Sequence, residues 1–221
     1  MRWSLASVCG AVVIPTLLLV RVSAAAQDSE PIPLEEDEPF VHEPSGFTFP
    51  AHLGTFTRAS ADKYDGAGRN ISVGYLDRGQ KVLVSVYVYP HGGQSLKTHF
   101  ERVKREVAQV HPQAKLTADE AWTLKQGADD EGAEGEKGKK PGRTYAGRKA
   151  TYEFVLRRRG GEAGGDTVTS EAYLLRHGDF FIKFRVTCPA DNHPAASERV
   201  ERFLRRLTLP QAPRAKAVTK T

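Results

Sequence analysis

Carboxylates aside, the side chains with the chemistry to act as nucleophile, general base or metal ligand are Cys188 and seven histidines. These are His42, His52, His91, His99, His111, His177 and His193. No two histidines stand in an H-x3-H or H-E-x2-H pattern, and Cys188 has no cysteine near it in sequence. His91 and His99 flank a predicted helix start, and Asp191 and His193 sit two apart before a second helix. Either pair would need ligands from elsewhere to hold a metal, and turn and cap roles account for both. Cys188 and His193 lie at one strand end, the pairing that would suit a thiol nucleophile beside an imidazole base. A cysteine before Pro189 at the end of a packed strand is more simply a small core residue. There is no G-x-S-x-G, no phosphate loop and no dinucleotide glycine pattern, because the glycines at 160, 161, 164 and 165 precede no helix. Asn70-Ile71-Ser72 is an N-glycosylation sequon, which has meaning in a eukaryotic secretory pathway. No catalytic residue, cofactor site or metal ligand is assigned, and the balance is against an enzyme.

The elements that would position side chains are clearer. From Tyr173 to Arg176 and again from Phe180 to Thr187 the pattern has period two. Phe180, Ile182, Phe184 and Val186 make one apolar face, against Phe181, Lys183, Arg185 and Thr187 on the other. His177-Gly178 is the expected two-residue loop of that hairpin, and Pro189 ends the return strand for want of an N–H. A helix follows, capped by Asp191 or Asn192 with Pro194 in its first turn, and Ala196, Val200, Phe203, Leu204 and Leu207 form its apolar stripe. Earlier, short strands are expected at Phe47–Phe49, 53–58 and 71–75. The strongest alternates Val82, Val84, Val86 and Val88 with Leu83, Ser85, Tyr87 and Tyr89. Ser95 caps a helix whose stripe is Leu96, Phe100, Val103, Val107 and Val110, and His111-Pro112 ends it. Strands over 114–125 and 145–158 complete the set.

At the N-terminus Arg2 precedes an apolar run from Leu5 to Val20, closed by Ser23-Ala24-Ala25-Ala26, the layout of a secretory signal peptide over 1–26. With Cys9 inside that leader, Cys188 is alone in the exported chain and no internal disulfide is expected, which suits a periplasmic or extracellular protein held by its core. Residues 27–45 are acidic and proline-rich and are expected to form a flexible lead-in. The net charge is +5, and the six acids between Asp28 and Glu38 leave the remainder markedly basic. The domain is expected over 46–210, with a disordered charged insertion at 126–143 and a basic flexible tail at 211–221.

The order of elements, the F-x-F-P start (Phe47 to Pro50), ISVGY (71–75), VSVYVYP (84–90) and FIKFRVTCP (181–189) before the last helix resemble the PsbP-like group, over about Phe47 to Pro210. Within it, the resemblance is to uncharacterised exported bacterial members. It implies an α+β fold, an antiparallel β-sheet packed by helices as an α-β-α sandwich, and an accessory or binding role without a shared enzyme activity. It supplies no site residue. The residue types most suited to partner binding are Tyr87, Tyr89, Glu153, Arg157, Lys183 and Arg185, provided that register brings their faces together, because Tyr and Arg are favoured interface anchors. The expected function is thus an exported, non-enzymatic binding domain for a protein or envelope partner. The alternatives are a small exported hydrolase or metal-dependent enzyme using Cys188 or the histidines, and a binder of anionic surfaces. No specific nucleic-acid signal is present.

Overall fold

The structure is a computed structural model and describes residues 29–126, 142–157 and 165–210. In chain order it contains β1 (Glu30–Pro31), β2 (Phe40–His42), β3 (Phe47–Phe49), β4 (His52–Leu53), β5 (Phe56–Lys63), β6 (Ile71–Asp77) and β7 (Val82–Pro90). Then come α1 (Leu96–Val110), β8 (Lys115–Gln126), β9 (Arg143–Arg157), β10 (Gly165–His177), β11 (Phe180–Pro189) and α2 (His193–Arg206). Eight strands run β1-β5-β6-β7-β11-β10-β9-β8, β4 adds to β5, and all pairs are antiparallel, while β2 and β3 form a separate hairpin.

Alternation in the strands sets two faces. The front carries Ile71, Val73, Tyr75, the valines 82 to 88, Tyr173, Leu175 and Phe180 to Val186 in steps of two, and α2 buries Val200, Phe203 and Leu204 against it. Phe203 meets Phe56 and Tyr75 at ring-centre distances of 4.9 and 5.0 Å. On the back, α1 buries Phe100, Val103 and Val107 against Ala150, Tyr152, Phe154, Ala172, Leu174 and Phe181. Ser95 caps α1 through its side chain, accepting from the Thr98 N–H at 3.1 Å.

The expected α-β-α sandwich is corrected by this arrangement: the molecule is mainly one large antiparallel sheet, with two α-helices among the described residues. Eight strands about 4.8 Å apart span roughly 34 Å, whereas one helix with its side chains is about 10–12 Å across. One helix per face therefore covers a few strands and makes no layer. The front is completed by non-helical chain. Within 27–45, expected as a flexible lead-in, the described residues include β1 and β2 and place Ile32, Leu34 and Phe40 against the core. Arg58 holds them: its guanidinium donates to the carbonyls of Phe49 (2.7 Å), Glu35 (2.8 Å) and Glu38 (2.7 Å).

Two local expectations change. His177 pairs with Phe180, so the hairpin loop is Gly178-Asp179, with Gly178 at φ 54°. Asn192 stands at the N-cap of α2 but gives no side-chain cap, because its amide donates to the Gln80 carbonyl and side chain at 3.0 and 2.9 Å. The signal segment 1–26, the tail 211–221 and most of the insertion at 126–143 lie outside the described residues; Gln126 and Arg143 pair at its base.

Candidate functional site: the back face beside the first helix

Helix α1 packs on β9 and β10, and α2 packs on β8 and β11 from the front. On the back, α1 reaches β11 and β7 at its edge, through Glu106 to Lys183 and His99 to Tyr89, and β6 and β5 follow in the sheet. Register decides which side chains meet there. Lys183 pairs with Tyr87, Arg185 with Ser85, and Tyr87 with Ser72. Lys183, Arg185, Tyr87 and Tyr89 therefore share this surface, all half-buried.

Glu153 does not join them. Glu153 pairs with Thr169 and Thr169 with Cys188, a front-face residue. Arg157, two steps on, pairs with Gly165. A period of two thus puts Glu153 on the front, so of the expected six residues Tyr87, Tyr89, Lys183 and Arg185 share the back and Glu153 does not.

The four are tied together electrostatically. Lys183 Nζ sits 4.4 Å from the Tyr87 ring centre and 5.9 Å from that of Tyr89, within cation–π range. Glu106 of α1 lies 3.7 Å from Lys183 Nζ and also 3.7 Å from Arg102. Burial, and then the neighbouring Arg185 and Arg102, pull the Lys183 ammonium below its ordinary pKa against the attraction of Glu106. Burial likewise lowers Arg185 and pushes the Tyr87 hydroxyl up to about 12. At the α1 end, the Tyr89 hydroxyl and His99 Nε2 are 2.7 Å apart, and His99 stacks on Phe181 at 4.3 Å. Burial, with Arg102 and Lys183 nearby, holds His99 at about 4, so its ring is neutral at pH 7. Further along the sheet, the Tyr64 hydroxyl and Ser72 Oγ are 3.0 Å apart.

The front face holds the other cluster with chemical potential, and its central residue was not among the expected site residues. Glu171 is 1 % exposed. It accepts from the Tyr173 hydroxyl (2.7 Å) and Lys149 Nζ (2.8 Å), and His193 Nε2 lies at 3.2 Å. Burial opposes its charge, but Lys149, Tyr173 and His193 together hold the carboxyl below its ordinary range. An acid in phase with Tyr173 and Leu175 was the sequence signal that could have found it. Here His193 Nε2 turns to Glu171. Cys188 is 2 % exposed, and burial, followed by the charges of Glu171 and Asp191, pushes its thiol up to about 11. A thiol in that setting is not the ready thiolate that nucleophilic catalysis needs. Among the described residues no group of three or more His, Cys, Asp or Glu is arranged to hold a metal ion.

Two shallow clefts, of about 160 and 350 Å³, flank the lead-in at Pro33–Arg58 and Pro31–Asp62. Neither contains a residue of the Tyr87–Arg185 surface. No described helix is long and apolar enough to cross a membrane.

No protein-family model matches this sequence, and no curated protein matches it. Among solved structures the chain is similar to the solution structure of cyanobacterial PsbP (CyanoP) from Synechocystis sp. PCC 6803. The TM-score is 0.45 at 13 % identity, over 75 % of this chain and 88 % of that one.

Proposed function

We propose that this protein is an exported, non-enzymatic binding domain that presents the back of its sheet, around Tyr87, Lys183 and Arg185, to a protein partner of the cell envelope. The observation that supports this is the meeting of two tyrosines and two cations where β7 and β11 run side by side at the edge of α1. Aromatic and arginine side chains half-buried and held in place by neighbours on a sheet face, rather than in an enclosed pocket, suit protein recognition better than small-molecule catalysis. The leader over 1–26 is the reason to place the partner outside the cytoplasm.

The test is crosslinking capture from the native envelope fraction with wild type and a Ser85→Glu variant. Ser85 is half-buried, lies directly across from Arg185, and a carboxylate there fills the middle of the surface while pairing with the arginine. A specific protein captured by wild type and lost in the variant supports the reading. Equal capture by both, or none by wild type, refutes it.

A further inference from the structure

Four buried side-chain nitrogens and oxygens have no hydrogen-bond partner among the described residues: His111 Nε2, Arg148 Nε, Tyr152 Oη and Arg185 Nε. Arg148 is otherwise neutralised, since its Nη2 donates to Asp119 Oδ1 at 2.6 Å. The other three belong to one neighbourhood. The Arg185 charge acts on both the Tyr152 hydroxyl and the His111 ring. Arg185 on β11 and Tyr152 on β9 are separated on the back face by β10, whose residues there are the small Ala172, paired with Arg185, and Ser170, paired with Tyr152. His111 follows the last turn of α1 and stacks on Phe154 at 4.1 Å, next along β9.

The guanidinium of Arg185 is unusual in having no counter-charge in contact. Among the described residues it makes neither a hydrogen bond nor an ion pair. The carboxylates nearby are already engaged: Glu106 lies with Lys183 and Arg102, and Asp119 with Lys104 and Arg148, both at 2.6 Å. The other cation of the surface, Lys183, has the same sign and is itself pulled down by Arg185. The buried Arg185 Nε, left without an acceptor, is costly unless something completes it. The groups around it are suited to one ligand type. A guanidinium, a phenolic hydroxyl and a neutral imidazole supply three donors, and the positive charge fixes the sign of what they take.

We propose that Arg185, Tyr152 and His111 form a binding site for an oxyanion, a carboxylate or phosphate group, at the margin of α1 on the back of the sheet. This deepens the proposed function by naming the chemistry the surface recognises. A free anion can occupy the site without a protein partner, so the two proposals fail separately.

The test is calorimetric titration with inorganic phosphate and with acetate, each against chloride at matched ionic strength, with the His111 ring followed by NMR. Saturable binding of either oxyanion is expected, with His111 signals moving at the same midpoint. Arg185→Gln weakens it about tenfold or more, the loss of a charged hydrogen bond. Tyr152→Phe keeps the ring, removes only the orphaned hydroxyl and weakens binding as well, which keeps the test open should the arginine variant fold poorly. Ser85→Glu, carrying its own carboxylate opposite Arg185, abolishes binding. Preference for acetate points to a carboxylate group and preference for phosphate to a phosphoryl group. No saturable binding of either anion overturns the proposal, as does undiminished affinity in Arg185→Gln or Tyr152→Phe.

Discussion

Glu171→Ala is the substitution whose cost follows most directly from geometry. The carboxylate is 1 % exposed and has Tyr173, Lys149 and His193 at 2.7, 2.8 and 3.2 Å. Removing one member of a buried charged pair costs about 3–5 kcal/mol, because the remaining members keep their desolvation cost and lose their partner. Lys149 is 17 % exposed along its side chain and has a route to water; the Tyr173 hydroxyl, on a residue 1 % exposed, has none. Much of the loss therefore sits on Tyr173, and adding Tyr173→Phe should restore about 1–3 kcal/mol, the cost of one unsatisfied buried hydroxyl. With a urea dependence of about 2 kcal/mol per molar, the single substitution lowers the midpoint by roughly 2 M. Trp122 is the reporter, 4.8 Å from the Tyr173 ring. The pH dependence has a fixed sign. The folded carboxyl is held below its ordinary 4.5, so its stabilisation is complete above that pH and is lost as pH falls through the folded value. Wild type should lose this increment in acid and Glu171→Leu should not. A Glu171→Ala midpoint within about 0.5 M urea of wild type, or no recovery with Tyr173→Phe, would refute the reasoning.

Two further outcomes are expected. Phe203→Ala removes a ring that is 1 % exposed and wedged between Phe56 and Tyr75, and should cost about 3–5 kcal/mol in denaturant unfolding. Arg58→Met keeps the length of the side chain but deprives three carbonyls of their donor, and should make the 30–45 segment the first site of limited proteolysis while the sheet stays intact.

Much of the local structure was legible because it depends on period and punctuation. The alternation of Val82 to Val88, the stripe from Leu96 to Val110 and the cap at Ser95 each belong to a few consecutive residues, and they appear where those patterns place them. The lead-in has the composition of an unfolded segment, so the strands in its described part are not legible from it. What orders it is Arg58, a residue in a strand some 20 positions away that donates to its carbonyls. The α-β-α layering differs for a related reason: helices can be counted along a chain, but the area they cover depends on how many strands join one sheet.

Sequence alone determined which residues alternate in each strand, and hence that Lys183 and Arg185 share a side, as do Tyr87 and Tyr89. It could not decide whether those sides coincide, since strand pairing joins residues nearly a hundred positions apart and a shift of one residue reverses a face. The tertiary structure decided it: Lys183 lies opposite Tyr87, Glu153 faces the other way, and α1 ends its cover beside an arginine with no counter-charge in contact. Period is a property of neighbouring backbone bonds and is written locally, whereas register and cover arise only when distant segments bury their apolar faces together.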